Sequence, residues 1–99
     1  MTQDTDLTAA KLNHETARIE WSALQPFFAR GQTVLVQPGL DLVAVATAFA
    51  NDQRDEVAAW MAAGEVMRVS DTQAAAWSKT NAALWAVVVA PWVLIQPAA

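Results

Sequence analysis

Polar and apolar positions alternate between helical and strand spacing along the 99-residue chain until Thr80, after which no ionisable side chain occurs. Asp6 is a capping residue for a first helix over Leu7 to Asn13, with Leu7, Ala10 and Leu12 on its apolar positions. Ser22-Ala23-Leu24-Gln25 has the spacing of a capping box, in which the serine accepts a backbone amide and the glutamine reaches back. It predicts a short helix through Phe27, Phe28 and Ala29, stopped by Gly31, which tolerates the left-handed conformation at a helix end. Thr33 to Val36 is a β-branched run of strand length. Pro38-Gly39 predicts a turn, because proline fixes its own φ and glycine accepts the positive φ that follows. Leu42 to Ala50 fits two periods: Val43, Val45, Thr47 and Phe49 alternate, whereas Leu42, Val45, Ala46 and Phe49 share a helical face. The alanines and the Asp41 cap favour the helix. Asn51-Asp52 breaks it, and Arg54 to Ala63 predicts a helix with Val57, Trp60 and Met61 on one stripe. Gly64 ends that helix, Val66 to Val69 reads as a strand, and Ser70 to Gln73 is a second capping box. It opens a helix through Trp77 to Lys79, with Asn81 as its stop.

Ala82 to Ile95 is then one unbroken apolar run. Burying a large aliphatic or aromatic side chain gains about 1.5–3 kcal/mol, so such a run does not stay in water. A membrane helix needs about 20 apolar residues, and this run is shorter and carries Pro91, which removes a helical hydrogen bond. Val87-Val88-Val89 and Val93-Leu94-Ile95 favour a strand covered on both faces, as a central strand is. Pro91 cannot donate to a ladder, so the strand is expected to bend at Ala90-Pro91. Its second half is then free to pair or pack against another subunit.

Helix end, glycine stop and strand recur in order at Phe28–Val36 and Met61–Val69, and Trp77–Val89 repeats the pattern with asparagine for glycine. This grammar predicts an α+β fold. The expected sheet is small, with three or four strands, packed with four or five short helices in interleaved helix-then-strand order. Residues 1–6 are expected to be a flexible acidic tail and residues 7–99 a single compact domain, since the length suits one core.

Composition adds a partner to this picture. Charged residues make up 16%, below the roughly 25% of typical soluble domains. A second copy of the chain covering part of the surface would account for the shortfall, so a homodimer is expected, with another protein as a further possible partner. The net charge is −4, and the six basic residues are scattered without forming a patch. Binding to nucleic acid or to acidic lipid depends on clustered positive charge, and both are disfavoured. There is no cysteine, which excludes disulfides and thiolate metal sites and suits a reducing cytoplasm. The polar, acidic start does not have the basic and then apolar pattern of a secretory signal, so a cytoplasmic location is expected.

Candidate chemistry is sparse. His14 is the single histidine; its neighbour Glu15 points elsewhere on a helix, and a zinc set needs three or four ligands. Ser22 and Ser70 are explained by capping and sit in no nucleophile motif. Asp52, Asp55 and Glu56 stand at a helix start, where carboxylates meet the positive end of the dipole. No catalytic residue, metal or cofactor is therefore assigned, and an enzyme is the least favoured reading. The turn Gln37-Pro38-Gly39-Leu40-Asp41 leads from a strand into a helix start, a place where free amides can bind a ligand. Gln37, Gly39 and Asp41 are the candidate ligand-binding residues. Five tryptophans without a tyrosine suit an interface, because indole combines a large apolar area with one donor. Trp85, Pro91, Trp92 and Leu94 are the candidate interface residues. The leading expectation is a protein that works by binding, as a homo-oligomeric interaction or accessory module. A small-ligand regulatory module using the Gln37–Asp41 turn is the alternative.

Three segments, Leu12-Asn13-His14-Glu15-Thr16-Ala17-Arg18-Ile19, Gln37-Pro38-Gly39-Leu40-Asp41-Leu42 and Leu84 to Val93, together resemble the bacterial family known as domain of unknown function 2288. The resemblance covers nearly the whole chain after the acidic tail. It implies bacterial origin, and it carries over neither an activity nor a catalytic residue.

Overall fold

Asp41 settles the ambiguous segment of the chain. Its carboxylate accepts from the amides of Val43 and Ala44 at 3.0 and 3.3 Å, and Leu42–Ala50 is a helix. The computed structural model describes residues 11, 12 and 14–98. The expected tail over residues 1–6 and most of the expected first helix lie outside them, although residues 11–12 and 14–15 are helical.

The elements are β1 (Ala17–Glu20), α1 (Trp21–Ala29), β2 (Thr33–Val36), α2 (Leu42–Ala50), α3 (Arg54–Ala62), β3 (Val66–Arg68), α4 (Asp71–Thr80), β4 (Ala83–Val89) and β5 (Trp92–Pro97). The fold is α+β as expected, but the sheet has five strands, in the order β1-β4-β5-β2-β3. Only β5 and β2 run parallel; the other neighbours are antiparallel. Two things raise the strand count above three or four. Residues Ala17–Glu20 carry no β-branched cluster and become a strand by pairing with Ala83–Ala86. The apolar run does not merely bend at Pro91: Val89 pairs with Trp92, so Ala90-Pro91, joined by a cis peptide bond, is the two-residue turn of a hairpin.

This hairpin puts β5 in the middle of the sheet, and its alternating side chains feed two cores. Val93 and Ile95 join Trp21 and Leu24 of α1 and Ala74 and Trp77 of α4 on one face. Leu94 joins Leu12, Val45 and Ala46 on the other, where α2 and α3 pack. Val93, Leu94 and Ile95 are thus covered on both faces of the sheet by the chain's own elements, whereas Trp85 and Val88 of the same run stay exposed. Of the candidate interface residues, the place of Leu94 is corrected to the core. That side chain is 0% exposed within one chain, which leaves it no surface to offer a partner.

Helix ends follow local chemistry with one exception. Gly31 and Gly64 stop α1 and α3 at φ +72° and +73°, and the two helix–glycine–strand units end in neighbouring antiparallel strands. Ser70 caps α4 by accepting from the Gln73 amide at 3.1 Å. Ser22, however, is not a cap. α1 already begins at Trp21, and the Ser22 amide donates to the side-chain Oδ1 of Asn81 at 2.9 Å. No helix among the described residues is long and apolar enough to cross a membrane.

Candidate functional site

Where α2 ends, the chain reverses within three residues. Asp52 takes a left-handed φ of +56°, the Gln53 amide donates back to the Ala48 carbonyl at 2.9 Å, and α3 starts at Arg54. This tight reversal lays α3 beside α2 but leaves a gap between both helices and the β4–β5 turn. The gap is an open cleft of about 430 Å3. Phe49, Val57 and Met61 line its helical side, Val89, Pro91 and Trp92 its hairpin side, and Asp52, Gln53 and Arg54 its rim.

The walls are held from behind. Trp92 is half-buried, and the Arg68 guanidinium of β3 lies over its ring at 5.0 Å from the centroid, a contact in which the cation meets the electron-rich face. Val89 and Trp92 are register partners, so the backbone fixes the mouth of the hairpin. At the rim, Arg54 Nε donates to both Asp52 carboxylate oxygens at 3.1 and 3.2 Å. That hydrogen bond, with the attraction of the carboxylate, raises the guanidinium above its ordinary pKa. Met61 is 49% exposed, a large apolar side chain on a helix that has no buried residue. Such an arrangement, apolar walls with a mixed polar rim and no converging acid–base pair, suits binding by shape and burial.

Sequence-expected residues divide between the two ends of the sheet. Pro91 and Trp92 line the cleft. Trp85 sits at the other end of β4, paired with Arg18 of β1, whose guanidinium lies 5.7 Å from the indole centroid; the ring is 39% exposed. The register partner of Trp85 on β5 is Gln96. Its Nε2 donates to the carbonyls of Gln37 and Leu40 at 3.0 and 2.7 Å. Gln37, Gly39 and Asp41 therefore belong to the Trp85 end of the sheet, remote in sequence and register from Pro91. Within that turn Gly39 holds φ +104°, the Asp41 carboxylate already occupies the first amides of α2, and Gln96 occupies two carbonyls. His14 and Glu15 are exposed, and among the described residues no three His, Asp or Glu side chains gather to hold a metal.

Phe49, Val57, Met61 and Arg54 were not expected at a site. Val57 and Met61 were legible as an apolar helical stripe, but a stripe directed at a cleft and one directed at a core have the same spacing. Gln96 had a signal: a polar side chain inside an apolar strand must find partners when it is covered.

The chain is similar in structure to a solved protein, PA1075 from Pseudomonas aeruginosa, determined by NMR in solution. The TM-score is 0.83 and the sequences are 50% identical, over 100% of this chain and 92% of that one. No curated protein matches. Over residues 7–97 the chain matches the family described as protein of unknown function (DUF2288), and it belongs to that family.

Proposed function

We propose that this chain is a protein-interaction module whose cleft between α2, α3 and the β4–β5 turn receives an apolar side chain presented by another protein. The observation that carries this reading is the composition of the cleft. Aromatic, methionine and proline side chains form its walls and an ion pair its rim, the apolar centre and polar margin of an interface hot spot. Methionine suits such a surface because its unbranched thioether adapts to differently shaped partners. The cleft is open along one side. A small ligand there would stay wet over much of its surface, whereas small-molecule sites usually bury about 70–90% of their ligand. A protruding side chain brings its own protein to close the opening.

A photo-crosslinking residue at position 61, compared with one at the exposed Ser78 of α4, tests the proposal in cells. The expected result is an adduct specific to position 61, followed by binding of the purified adduct partner that Met61→Asp abolishes. Equal adducts from both positions, or reconstituted binding unaffected by Met61→Asp, would overturn it.

A second reading, self-association, is supported by Val88. It is 57% exposed and lies beyond Ala86, where β1 stops pairing with β4. An exposed apolar side chain on a stretch of strand that pairs with β5 alone is a natural site for a second copy. Light scattering over a concentration series checks this: a dimer that Val88→Asp dissociates is expected, and a monomer at every concentration removes the reading.

A further inference from the structure

We infer that two copies of this chain join through the outer edge of β4: the β4 strands pair antiparallel over Val87 to Val89, with the two Val88 residues opposite one another on a twofold axis. The inference rests on the self-association reading above and adds the atoms that meet. The Val93 amide donates to the Gln32 carbonyl at 2.9 Å, so this residue of β5 turns its backbone towards β2 and away from β4. Its register partner on β4 is Val88. In an antiparallel ladder, directly opposite residues either exchange both hydrogen bonds or exchange neither. The Val88 N–H and C=O therefore point away from β5, to the side on which β1 pairs with β4. β1 does not reach them. Its register ends with Ala17 opposite Ala86, and before Ala17 the chain is helical at residues 11–12 and 14–15. Leu12 packs with Val87 and Leu94 on the α2 face, whereas Val88 shares the opposite face with its register partner Val93. Among the described residues, no backbone hydrogen bond reaches Val88 from the β1 side.

The chemistry of this edge selects a second copy as the occupant. An outward N–H and C=O on one residue are self-complementary. Set opposite the same residue of a twofold copy, they form two N–H···O=C bonds and leave neither chain with an orphan group. The side chain adds to this, since Val88 is 57% exposed and β-branched residues directly across a ladder pack on one another. Charge permits the approach. At −4 two copies repel, yet no ionisable side chain occurs from Thr80 to Ala99, so β4, the hairpin turn and β5 meet their counterparts without setting carboxylates together. The paired stretch is bounded by β1 on one side and the hairpin turn on the other. It is short, and the dimer is accordingly expected to depend on concentration.

Because the chain has no cysteine, a single introduced thiol reports its own position. Opposite residues of a hydrogen-bonded antiparallel pair stand about 5.5 Å apart at Cα, inside the roughly 4.4–6.8 Å span of a disulfide. Under mild oxidation, Val88→Cys is expected to form a disulfide dimer about tenfold faster than Met67→Cys, an exposed position on the edge strand β3, because the pair is held together rather than met by collision. Val88→Pro removes the outward N–H at an edge position that tolerates proline. It should scatter light as a monomer at concentrations where the wild type is a dimer, with circular dichroism checking its fold; if the proline variant does not fold, the two cysteine rates decide alone. Equal disulfide rates at positions 88 and 67, alongside a wild-type dimer that Val88→Asp dissociates, would overturn the edge pairing and leave the self-association reading standing. A folded Val88→Pro that dimerises as the wild type does would have the same effect. A wild-type monomer at every concentration would overturn both.

Discussion

Asn81 joins the end of α4 to the start of α1, across 59 positions to Ser22, and its substitution separates a backbone effect from a side-chain effect. As the C-cap of α4 it holds φ +47° and ψ 55°, the left-handed region in which a β-carbon costs about 1–2 kcal/mol and asparagine less. Its Oδ1 accepts from the Ser22 amide at 2.9 Å, and its Nδ2 donates to the Glu20 carboxylate. Beside it, the Trp21 amide donates to the Ala82 carbonyl at 2.9 Å. Two of the amides that open α1 are thus satisfied from the end of α4, and the Trp21 and Trp77 rings pack 5.2 Å apart just inside. Replacing a capping side chain by alanine costs about 1 kcal/mol.

Asn81→Ala loses the cap and also strains the backbone, for a total of about 2 kcal/mol. Asn81→Gly loses the same cap but relieves the left-handed strain, so its cost should be about half as large or less. Asn81→Asp keeps the acceptor for Ser22, loses the donor to Glu20 and sets two carboxylates together, so added salt should recover part of its loss. Thermal unfolding followed by circular dichroism reads these differences, since 1 kcal/mol corresponds to about 4–8 °C in Tm for a domain near this size. Alanine should therefore lower Tm by about 8–16 °C. Equal losses for alanine and glycine would refute the backbone part of the reasoning. A wild-type Tm for glycine together with a small loss for alanine would refute the capping part.

Three further outcomes follow from the packing. Leu94→Ala, at a position fully buried in the core under α2, should cost about 2–5 kcal/mol in urea denaturation, whereas Trp85→Ala, on the exposed end of β4, should cost under half as much despite the larger side chain; the reverse order would contradict the assignment of Leu94 to the core. Asp41→Ala removes the acceptor of the Val43 and Ala44 amides and should destabilise by about 0.5–2 kcal/mol, with Asp41→Asn or Asp41→Ser recovering most of it. Gln96→Leu leaves the Gln37 and Leu40 carbonyls without their side-chain donor, and a loss of about 1–3 kcal/mol is expected, together with faster amide exchange confined to residues 37–41; unchanged exchange there would show that water replaces the glutamine.

How far the sequence reaches depends on where the deciding interaction sits. Asp41, Ser70, Gly31 and Gly64 act within three or four residues of themselves, and each marks its helix end as read. Leu42–Ala50, compatible with both periods, becomes a helix because the Asp41 cap is local and the alanines let the segment lie close on the sheet. β1 was illegible because residues Ala17–Glu20 become a strand only by pairing with Ala83–Ala86, and edge strands take their conformation from that neighbour more than from propensity. Ser22 misled for the same reason in reverse: its box is locally correct, but the acceptor comes from Asn81, across 59 positions.

The apolar run shows why core and site differ in legibility. Valine and isoleucine on both alternating faces specify that both faces of β5 are covered, and the helices of this chain cover them. Periodicity specifies where a side chain points, however, and never what stands opposite. Met61 points from α3 as a core residue would, and so does Trp92 from β5, yet between them the Asn51–Gln53 reversal and the Ala90-Pro91 turn hold the elements apart. The cleft is made by two short connections, and Asp52, Gln53, Ala90 and Pro91 of those connections also line it. A cleft-lining side chain outside the core is therefore the place to perturb the proposed function without the fold. Met61→Ala, on a helix that has no buried residue, removes the wall that α3 presents to the cleft, so a partner bound there should lose affinity while Leu94 and Ile95 remain buried.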